Sequence, residues 1–232
     1  MSDDLSKEIK SGEKNLKQKI GELIAEKLET DMKLPTEKDM MQQFNVSRSS
    51  LREALSIYEA NGIISTIQGS GRYVEMPNFS KPLIDTWSIL IGAKPTLLFN
   101  LLEIRSILEI NSLEKAMQYI EVKQLQLLHN EVNAMKEKSN AGRPFAKNDR
   151  EFHRILFSST KNVLLEQLLT AFWDLYEEAK IETYHEELPA LAQQHADLLE
   201  AFTQEDLPTA QQLLKEQFDD ARYQIKVALL ER

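Results

Sequence analysis

The chain has 232 residues, of which 42% are hydrophobic and 28% are charged. This length and composition predict a packed globular protein of about two domains. The absence of cysteine excludes disulfides, thiolate metal ligands and a cysteine nucleophile, and it is typical of a reducing compartment. The first residues are acidic and polar, and the apolar stretches are too short to span a membrane. We therefore expect a cytoplasmic protein without a membrane segment.

The formal net charge of −9 differs from that of most nucleic-acid-binding proteins, which are basic. However, the acidic residues are unevenly distributed. Residues 1–77 carry 11 Lys and Arg against 13 Asp and Glu, whereas the rest of the chain carries 17 against 24. Between Lys33 and Arg72, five basic residues occur with four acidic ones. The N-terminal third can therefore still present a local basic face.

Three helices are predicted at the start of the chain. The first begins at Lys14, because apolar residues recur from there at helical spacing. Thr36 is a predicted N-cap, with Asp39 at capping-box distance, and the short helix that follows ends near Phe44. Ser47 is the predicted N-cap of a third helix, which Asn61-Gly62 terminates.

A β-hairpin is predicted directly after these helices. Ile63–Ile67 is rich in β-branched residues, Gln68–Gly71 is a turn, and Arg72–Glu75 is a second strand. The order helix, helix, turn, helix and hairpin is that of a winged helix–turn–helix. We expect this DNA-binding fold in residues 1–77.

The rest of the chain shows helical periodicity without a strand signal. A linker is predicted at residues 78–84, followed by an all-α domain at residues 85–232. The predicted helices span about residues 82–92, 95–118, 121–138, 143–159, 163–184, 187–203 and 205–230. The expected fold class is therefore mainly α, with three helices and a hairpin followed by a bundle of six or seven helices.

Polar residues at the start of the third helix have the pattern of a DNA-reading surface. Arg48 and Arg52 are four residues apart and share a helical face, from which Arg can donate two hydrogen bonds to guanine. Ser47, Ser49 and the helix N-terminus can contact phosphate, and Lys38 precedes them on the second helix. Gly69 and Gly71 would let the wing approach the minor groove. The alternative is a solvated helix whose arginines pair with Glu53 or Glu59.

Several segments of this region resemble the GntR family of bacterial transcription regulators. They are Leu34-Pro35-Thr36-Glu37-Lys38, the stretch from Asn45 to Leu55, Asn61-Gly62-Ile63-Ile64 and the stretch from Gln68 to Val74. The resemblance covers about residues 12–76. It implies that Lys38, Arg48, Arg52 and the wing glycine contact DNA, and that an effector domain follows.

Several helices of the predicted bundle carry a polar residue within an apolar stripe. These residues are Arg105, Asp149 with the adjacent His153, His195 and Gln217. Because buried charge is costly unless it is paired, the pattern predicts a polar cavity that could hold a metal and a carboxylate. Each residue also has a structural alternative: Arg105 could pair with Glu109, His195 could be a core histidine, and Asp149–His153 could be a hydrogen bond.

This half resembles the FCD ligand-sensing domain of the FadR subfamily. The matching segments are Glu103–Glu109, Asp149–Leu156 with Asn162, and Gln194–Ala201. The resemblance implies a divalent metal, such as zinc, nickel or manganese, held by Asp149, His153 and His195. Gln217 stands where the family has a third histidine, so we expect weaker metal binding. The implied effectors are small organic acids, such as sugar acids or hydroxy acids, bound at the metal and Arg105.

The expected function is a homodimeric regulator, and specifically a repressor, that binds an inverted-repeat operator and responds to a small carboxylate. A metal-sensing regulator is one alternative, although Gln217 weakens it. A metal-dependent hydrolase is another, but no general base or nucleophile accompanies the metal set. A metal-free regulator that responds to acyl-thioesters is a fourth possibility, which Asp149 and the two histidines disfavour. We expect no enzymatic activity.

Overall fold

The computed structural model describes residues 16–179 and 188–230, and the following account concerns these residues. The chain divides into two compact units, Met1–Phe79 and Ser80–Arg232. The predicted start of the first helix at Lys14 and the predicted end of another at residue 184 lie outside the described residues. None of the described helices is both long and apolar enough to cross a lipid bilayer.

The first unit contains three helices and a hairpin within its described part. Helix α1 covers residues 16–28, α2 is Glu37–Phe44 and α3 is Arg48–Ala60. The Thr36 hydroxyl accepts the Asp39 backbone N–H at the start of α2, as the capping pattern predicts. Asn45 ends α2 in the left-handed conformation, with φ of 55°. This turn brings Ser47 into place as the N-cap of α3.

The hairpin pairs β1, Ile64–Ile67, with β2, Gly71–Val74, in antiparallel register. Gly69 and Gly71 have φ of 79° and 122°, conformations that side-chain-bearing residues rarely adopt. The winged helix–turn–helix prediction is confirmed. Its core is formed by buried apolar residues of all five elements and the 29–36 connection: Leu16, Ile20, Leu23, Ile24, Leu34, Met40, Phe44, Leu51, Ala54, Leu55, Ile64 and Val74.

Every regular element that the structure describes in the second unit is a helix, as predicted. Its helices are α4 (Ser80–Ala93), α5 (Leu97–Tyr119), α6 (Val122–Asn140), α7 (Ala146–Ser158), α8 (Val163–Glu178), α9 (Leu188–Thr203) and α10 (Leu207–Leu230). They pack around one apolar core, to which α5 contributes Leu102 and Leu113 and α7 contributes Phe152 and Leu156. This packing directs one face of α5, α7, α9 and α10 inward, including the polar residues within their apolar stripes.

The linker differs from its predicted extent of residues 78–84. Helix α4 begins at Ser80, so five of those residues are helical. Pro82 does not prevent this, because it lies in the first turn, where a backbone N–H has no intrahelical partner.

Candidate functional sites

The start of α3 presents polar and basic side chains to solvent. The Ser47 hydroxyl accepts the Ser50 N–H and lies 3.0 Å from the Ser49 hydroxyl. The Arg48 and Arg52 side chains are 65% and 60% exposed. Lys38 is also exposed, on α2. The residues predicted to contact DNA therefore lie on an accessible surface of the first unit, with long donors one turn apart.

Glu37 connects the arginines of this surface. Arg52 Nε donates to both carboxylate oxygens of Glu37, at 3.0 and 3.2 Å, and Arg72 Nη1 donates to Oε1 at 2.9 Å. Arg48 Nε lies 3.8 Å from Oε2. The hydrogen bond from Arg52 is the largest influence on the pKa of Glu37 and, together with Arg72, holds it below its ordinary value despite partial burial. Glu37 thus accepts hydrogen bonds from Arg52 and Arg72 and lies within ion-pair distance of Arg48.

No sequence pattern predicted a role for Glu37. The alternative that the arginines pair with Glu53 or Glu59 is wrong for Arg52, which pairs with Glu37, fifteen residues earlier in the chain. Arg72 is the one arginine among the described residues that pairs with Glu59, at 2.7 Å, in addition to Glu37. Helical periodicity could not predict this pair, because residues 37 and 52 lie on different helices and come together only through the turn between α2 and α3.

The wing combines an exposed tip with a fixed base. Gly69 and Gly71 are exposed, and their positive φ values form the tight turn. Arg72, in contrast, is only 19% exposed and engaged by two carboxylates. The glycine-containing tip is therefore free to approach a duplex, whereas Arg72 anchors the hairpin to α2 and α3.

In the second unit, the predicted polar residues converge on one cavity of about 500 Å³. Arg105 comes from α5, Asp149 and His153 from α7, His195 from α9 and Gln217 from α10. The potential ligand atoms of Asp149, His153 and His195 all lie within 4.8 Å of one another. Helical wheels could place each residue inward, but only the bundle packing brings them together.

Both histidines direct the same nitrogen towards Asp149. His195 Nε2 is 2.7 Å and His153 Nε2 is 3.7 Å from Asp149 Oδ1. On the opposite side of each ring, His195 Nδ1 donates to the Leu191 carbonyl at 2.8 Å, and His153 Nδ1 lies 3.1 Å from Glu109 Oε2. Acceptors at Nδ1 are the usual outer-shell partners of metal-binding histidines, which then present Nε2 to the ion. The donor set therefore fits a divalent metal.

Glu109 is fully buried and lies within ion-pair distance of two predicted site residues, Arg105 and His153. It accepts from Arg105 Nε at 2.6 Å and lies beside His153. Burial would raise its pKa, but the charges of Arg105 and His153 outweigh that effect and lower it. The helical spacing predicted Glu109 only as an alternative partner of Arg105. The pair exists, yet Arg105 also lines the cavity.

Charge pairing dominates the electrostatics of the cluster. Burial disfavours ionisation of Asp149, but its hydrogen bond with His195 and the nearby charges of His195, His153 and Arg105 hold its pKa far below the ordinary value. Burial likewise disfavours the His195 imidazolium, but Asp149 raises its pKa. The cluster therefore favours ionised Asp149, which is the state that binds a cation.

Gln217 and Arg105 offer donors and acceptors to the cavity. Both amide atoms of Gln217 are buried, and neither has a hydrogen-bond partner among the described residues. The Arg105 guanidinium carbon lies 5.3 Å from the centre of the Phe218 ring and 5.8 Å from that of Tyr176. Its Nε is used by Glu109, which leaves the Nη groups for a carboxylate. The cavity thus combines three side chains that could hold a cation with a guanidinium group that could bind an anion.

An exposed helix–turn–helix surface joined in one chain to a helical domain with a charged cavity defines a DNA-binding regulator. Comparison with known proteins specifies the class. Residues 7–74 match the bacterial regulatory proteins of the gntR family, and residues 100–220 match the FCD domain. The chain belongs to the GntR family of transcription regulators and carries an FCD domain. It is a regulator, and not an enzyme.

Individual relatives agree with this assignment. The HTH-type transcriptional regulator LutR of Bacillus subtilis is 31% identical over 154 residues, covering 65% of this chain and 68% of LutR. The HTH-type transcriptional repressor NanR of Escherichia coli is 25% identical over 224 residues, covering 86% and 81%. The solved structure of a Streptococcus agalactiae GntR protein has the same fold, with a TM-score of 0.63, 24% identity and coverage of 91% and 99%.

Proposed function

We propose that this regulator represses transcription in the cytoplasm and that a small carboxylate, bound in the FCD domain, changes its affinity for an operator. The observation that carries this proposal is the convergence of Arg105, Asp149, His153 and His195 on one cavity. Buried charges cost stability unless they serve one another or a ligand. Here the Arg105 Nη groups and the Gln217 amide remain for a ligand.

Asp149, His153 and His195 would hold a divalent metal in this pocket. A metal held there would supply Lewis-acid chemistry towards an anionic oxygen of the effector. The chain itself would orient the ligand, because Arg105 would receive the carboxylate. The Leu191 carbonyl accepts from His195 Nδ1, and Glu109 lies within ion-pair distance of His153. Gln217 supplies a neutral amide oxygen, which is a weaker ligand than imidazole for zinc or nickel.

DNA binding would reside in residues 1–77, and effector binding and dimerisation in residues 85–232. Arg48 and Arg52 would read base edges, Ser47, Ser49 and Lys38 would contact the backbone, and the wing at Gly69 and Gly71 would enter the minor groove. One winged helix buries too little surface for tight specific binding, so a homodimer on an inverted repeat is expected. Sedimentation at micromolar concentration tests this, and a monomer on an asymmetric site would contradict it.

Isothermal calorimetry with a panel of sugar acids and hydroxy acids tests the effector site, with bound metal measured in the same samples. We expect at least one acid to bind with a stoichiometry of one per chain. Arg105→Lys keeps a positive charge beside Glu109 but loses the guanidinium fork, so it should weaken this binding about tenfold or more. The matched control is Arg154→Lys, on a solvent-facing pair with Glu151. Equal acid binding by both variants would place the effector elsewhere.

The same titration separates a metal sensor from an acid sensor. If divalent metal alone changes operator affinity and no acid adds to the effect, the metal-sensing alternative is correct. If acids act only in the presence of bound metal, the metal is part of the effector site.

A further inference from the structure

The wing includes a short extended segment that precedes α2 in the chain. Lys33 pairs with Tyr73 of β2 as an antiparallel bridge, and the Leu34 N–H donates to the Arg72 carbonyl at 2.9 Å. Since β1 occupies the other edge of β2, residues 32–34 lie along the edge that the hairpin leaves open. The Lys33 side chain is therefore part of the wing, although its residue lies far from the hairpin in sequence.

The two faces of β2 differ in the state of their basic groups. Arg72 is engaged by Glu59 of α3 and by Glu37 of α2. Because successive side chains of a strand point to opposite faces, Tyr73 lies on the face away from these carboxylates. Lys33 Nζ lies 5.6 Å from the centre of the Tyr73 ring, which is a cation–π distance. The hairpin's own arginine is thus occupied, and the ammonium group of Lys33 stands on the opposite face.

The Lys33 ammonium is held in place without a carboxylate partner. Its Cε lies against Gly71, where an added Cβ would be 3.5 Å away. Asp31, two residues earlier, is paired with Lys27 at 3.3 Å, and no ion pair involves Lys33 in the part of the chain that the structure describes. The residue is exposed. A side chain that is already positioned loses less conformational entropy when it binds, so Lys33 is suited to receive an anion from solvent.

Two hydroxyl groups accompany this ammonium. The Ser70 and Tyr73 hydroxyls are 2.6 Å apart, and Ser70 is exposed at the tip of the wing. The hydrogen bond with Ser70 and the charge of Lys33 hold the pKa of the Tyr73 hydroxyl below its ordinary value. An ammonium with hydroxyl donors is the usual equipment of a phosphate contact. It lacks the planar fork with which arginine distinguishes guanine.

We propose that the outer face of the wing, formed by Lys33, Ser70 and Tyr73, binds a phosphate of the DNA backbone, with Lys33 as the cation of the wing. This inference rests on the proposed DNA-binding function and adds a contact that the hairpin does not itself supply, because Arg72 is occupied. Lys33 neutralises one phosphate charge and releases a counterion. The contact adds affinity for every DNA sequence equally and carries no discrimination between sequences.

The salt dependence of DNA binding by the full-length protein tests this contact. The probes are a duplex selected from random DNA for tight binding and an unselected duplex of equal length. Lys33→Gln should weaken binding to both duplexes by the same factor, about fivefold at physiological salt, and reduce the slope of log affinity against log salt by about one. Lys123→Gln, at an exposed position of α6, makes the same charge change in the other unit and should alter neither quantity.

Two conservative variants separate the charge from the hydroxyl. Lys33→Arg keeps a positive charge at the same position, so it should retain the salt slope of the wild type. Tyr73→Phe keeps the ring beside Lys33 but removes the hydroxyl. It should weaken binding to both duplexes by about twofold to tenfold, as one lost hydrogen bond would, and leave the salt slope unchanged.

Arg52→Ala in the same assay distinguishes a failure of this inference from a failure of the proposed function. If Arg52→Ala weakens binding of the selected duplex while Lys33→Gln behaves like Lys123→Gln, the outer face does not contact DNA. Weaker binding of the selected duplex alone by Lys33→Gln would equally overturn a phosphate contact, since it would mean sequence reading. If neither Arg52→Ala nor Lys33→Gln weakens binding to either duplex, the assignment of DNA binding to this surface fails as well.

Discussion

Each of the two units holds arginine against a carboxylate, but in opposite environments. Around Glu37, the guanidinium groups of Arg48 and Arg52 are mostly exposed. Around Glu109, both the carboxylate and the Arg105 side chain are nearly or fully buried. An exposed pair is worth little and can exchange its partner for DNA, whereas a buried pair is costly to break. The exposed arginines around Glu37 are therefore suited to binding DNA, whereas the buried pair of Arg105 and Glu109 is suited to forming the wall of a rigid small-molecule pocket.

The largest expected effect concerns the stability of the buried cluster. Glu109→Ala leaves Arg105 without its carboxylate in the interior and should reduce the free energy of unfolding by about 3–5 kcal/mol. The control is Glu103→Ala, which removes an exposed carboxylate from the same helix. Urea denaturation followed by tryptophan fluorescence measures both. A loss of less than about 1 kcal/mol for Glu109→Ala would show that the pair is not rigidly buried.

The next effect concerns the exposed cluster and DNA. Arg48→Ala and Arg52→Ala should each weaken specific operator binding by about 1–3 kcal/mol, because each removes a base-reading donor, with little effect on folding. Arg143→Ala, which removes an equally exposed arginine from the second unit, is the control for net charge. Gel shifts with a genomic operator provide the measurement. Unchanged specific affinity in both α3 variants would refute the assignment of the recognition helix.

An intermediate effect concerns the metal set. Gln217→His replaces a neutral amide with an imidazole, which divalent zinc or nickel prefers. We expect this variant to bind the metal about tenfold or more tightly in competition with a chelator, because position 217 lies on the cavity wall. His129→Gln, at an exposed position of α6, is the control for the histidine count. Equal metal affinity in wild type and Gln217→His would show that position 217 does not contribute to metal binding by Asp149, His153 and His195.

A smaller effect should follow from removal of the shared carboxylate at Glu37. Because Arg52 Nε is held by Glu37, its two Nη groups are presented together, which suits a bidentate contact with guanine. Glu37→Gln should reduce discrimination between the operator and a single-base variant by about threefold to tenfold, as one weakened hydrogen bond would. Glu53→Gln makes the same charge change at an exposed position of α3. If the two variants discriminate equally well, Glu37 does not position Arg52.

The smallest effect is the pH dependence of the Glu37 contribution to stability. The pKa of Glu37 is lowered by Arg52 and Arg72, so its stabilising contribution is complete above the ordinary glutamate pKa and is lost as the pH falls through the lowered value. Scanning calorimetry should therefore show a stability difference between wild type and Glu37→Gln near pH 7 that shrinks below about pH 4. A stability difference that grows as the pH falls would contradict the pairing of Glu37 with Arg52 and Arg72.

Local patterns explain most of what the sequence could predict. The caps at Thr36 and Ser47 and the turn at Gly69 to Gly71 depend on neighbouring residues, so their signals are present in short windows. The polar positions Arg105, Asp149, His153 and His195 were identifiable because each interrupts an apolar stripe on its own helix. Their assembly into one cavity depended on bundle packing, which no single stripe encodes.

The contacts that could not be predicted from the sequence join residues on different helices. Glu37 meets Arg52 only through the helix–turn–helix, and Glu109 meets His153 only where α5 packs against α7. The early start of α4 at Ser80 has a local cause, because Pro82 is compatible with the first helical turn.

The most direct test of the account measures operator affinity with and without a saturating acid in wild type, Arg105→Lys, His195→Gln and the surface control Arg154→Lys. Coupling between the two sites is a differential affinity, typically about 1–3 kcal/mol, or about fivefold to 150-fold. We predict that wild type and Arg154→Lys show such a change, and that Arg105→Lys and His195→Gln bind the operator normally but respond only at about tenfold or more higher acid concentration. An undiminished response in both cavity variants would contradict the account and assign these buried groups a structural role alone.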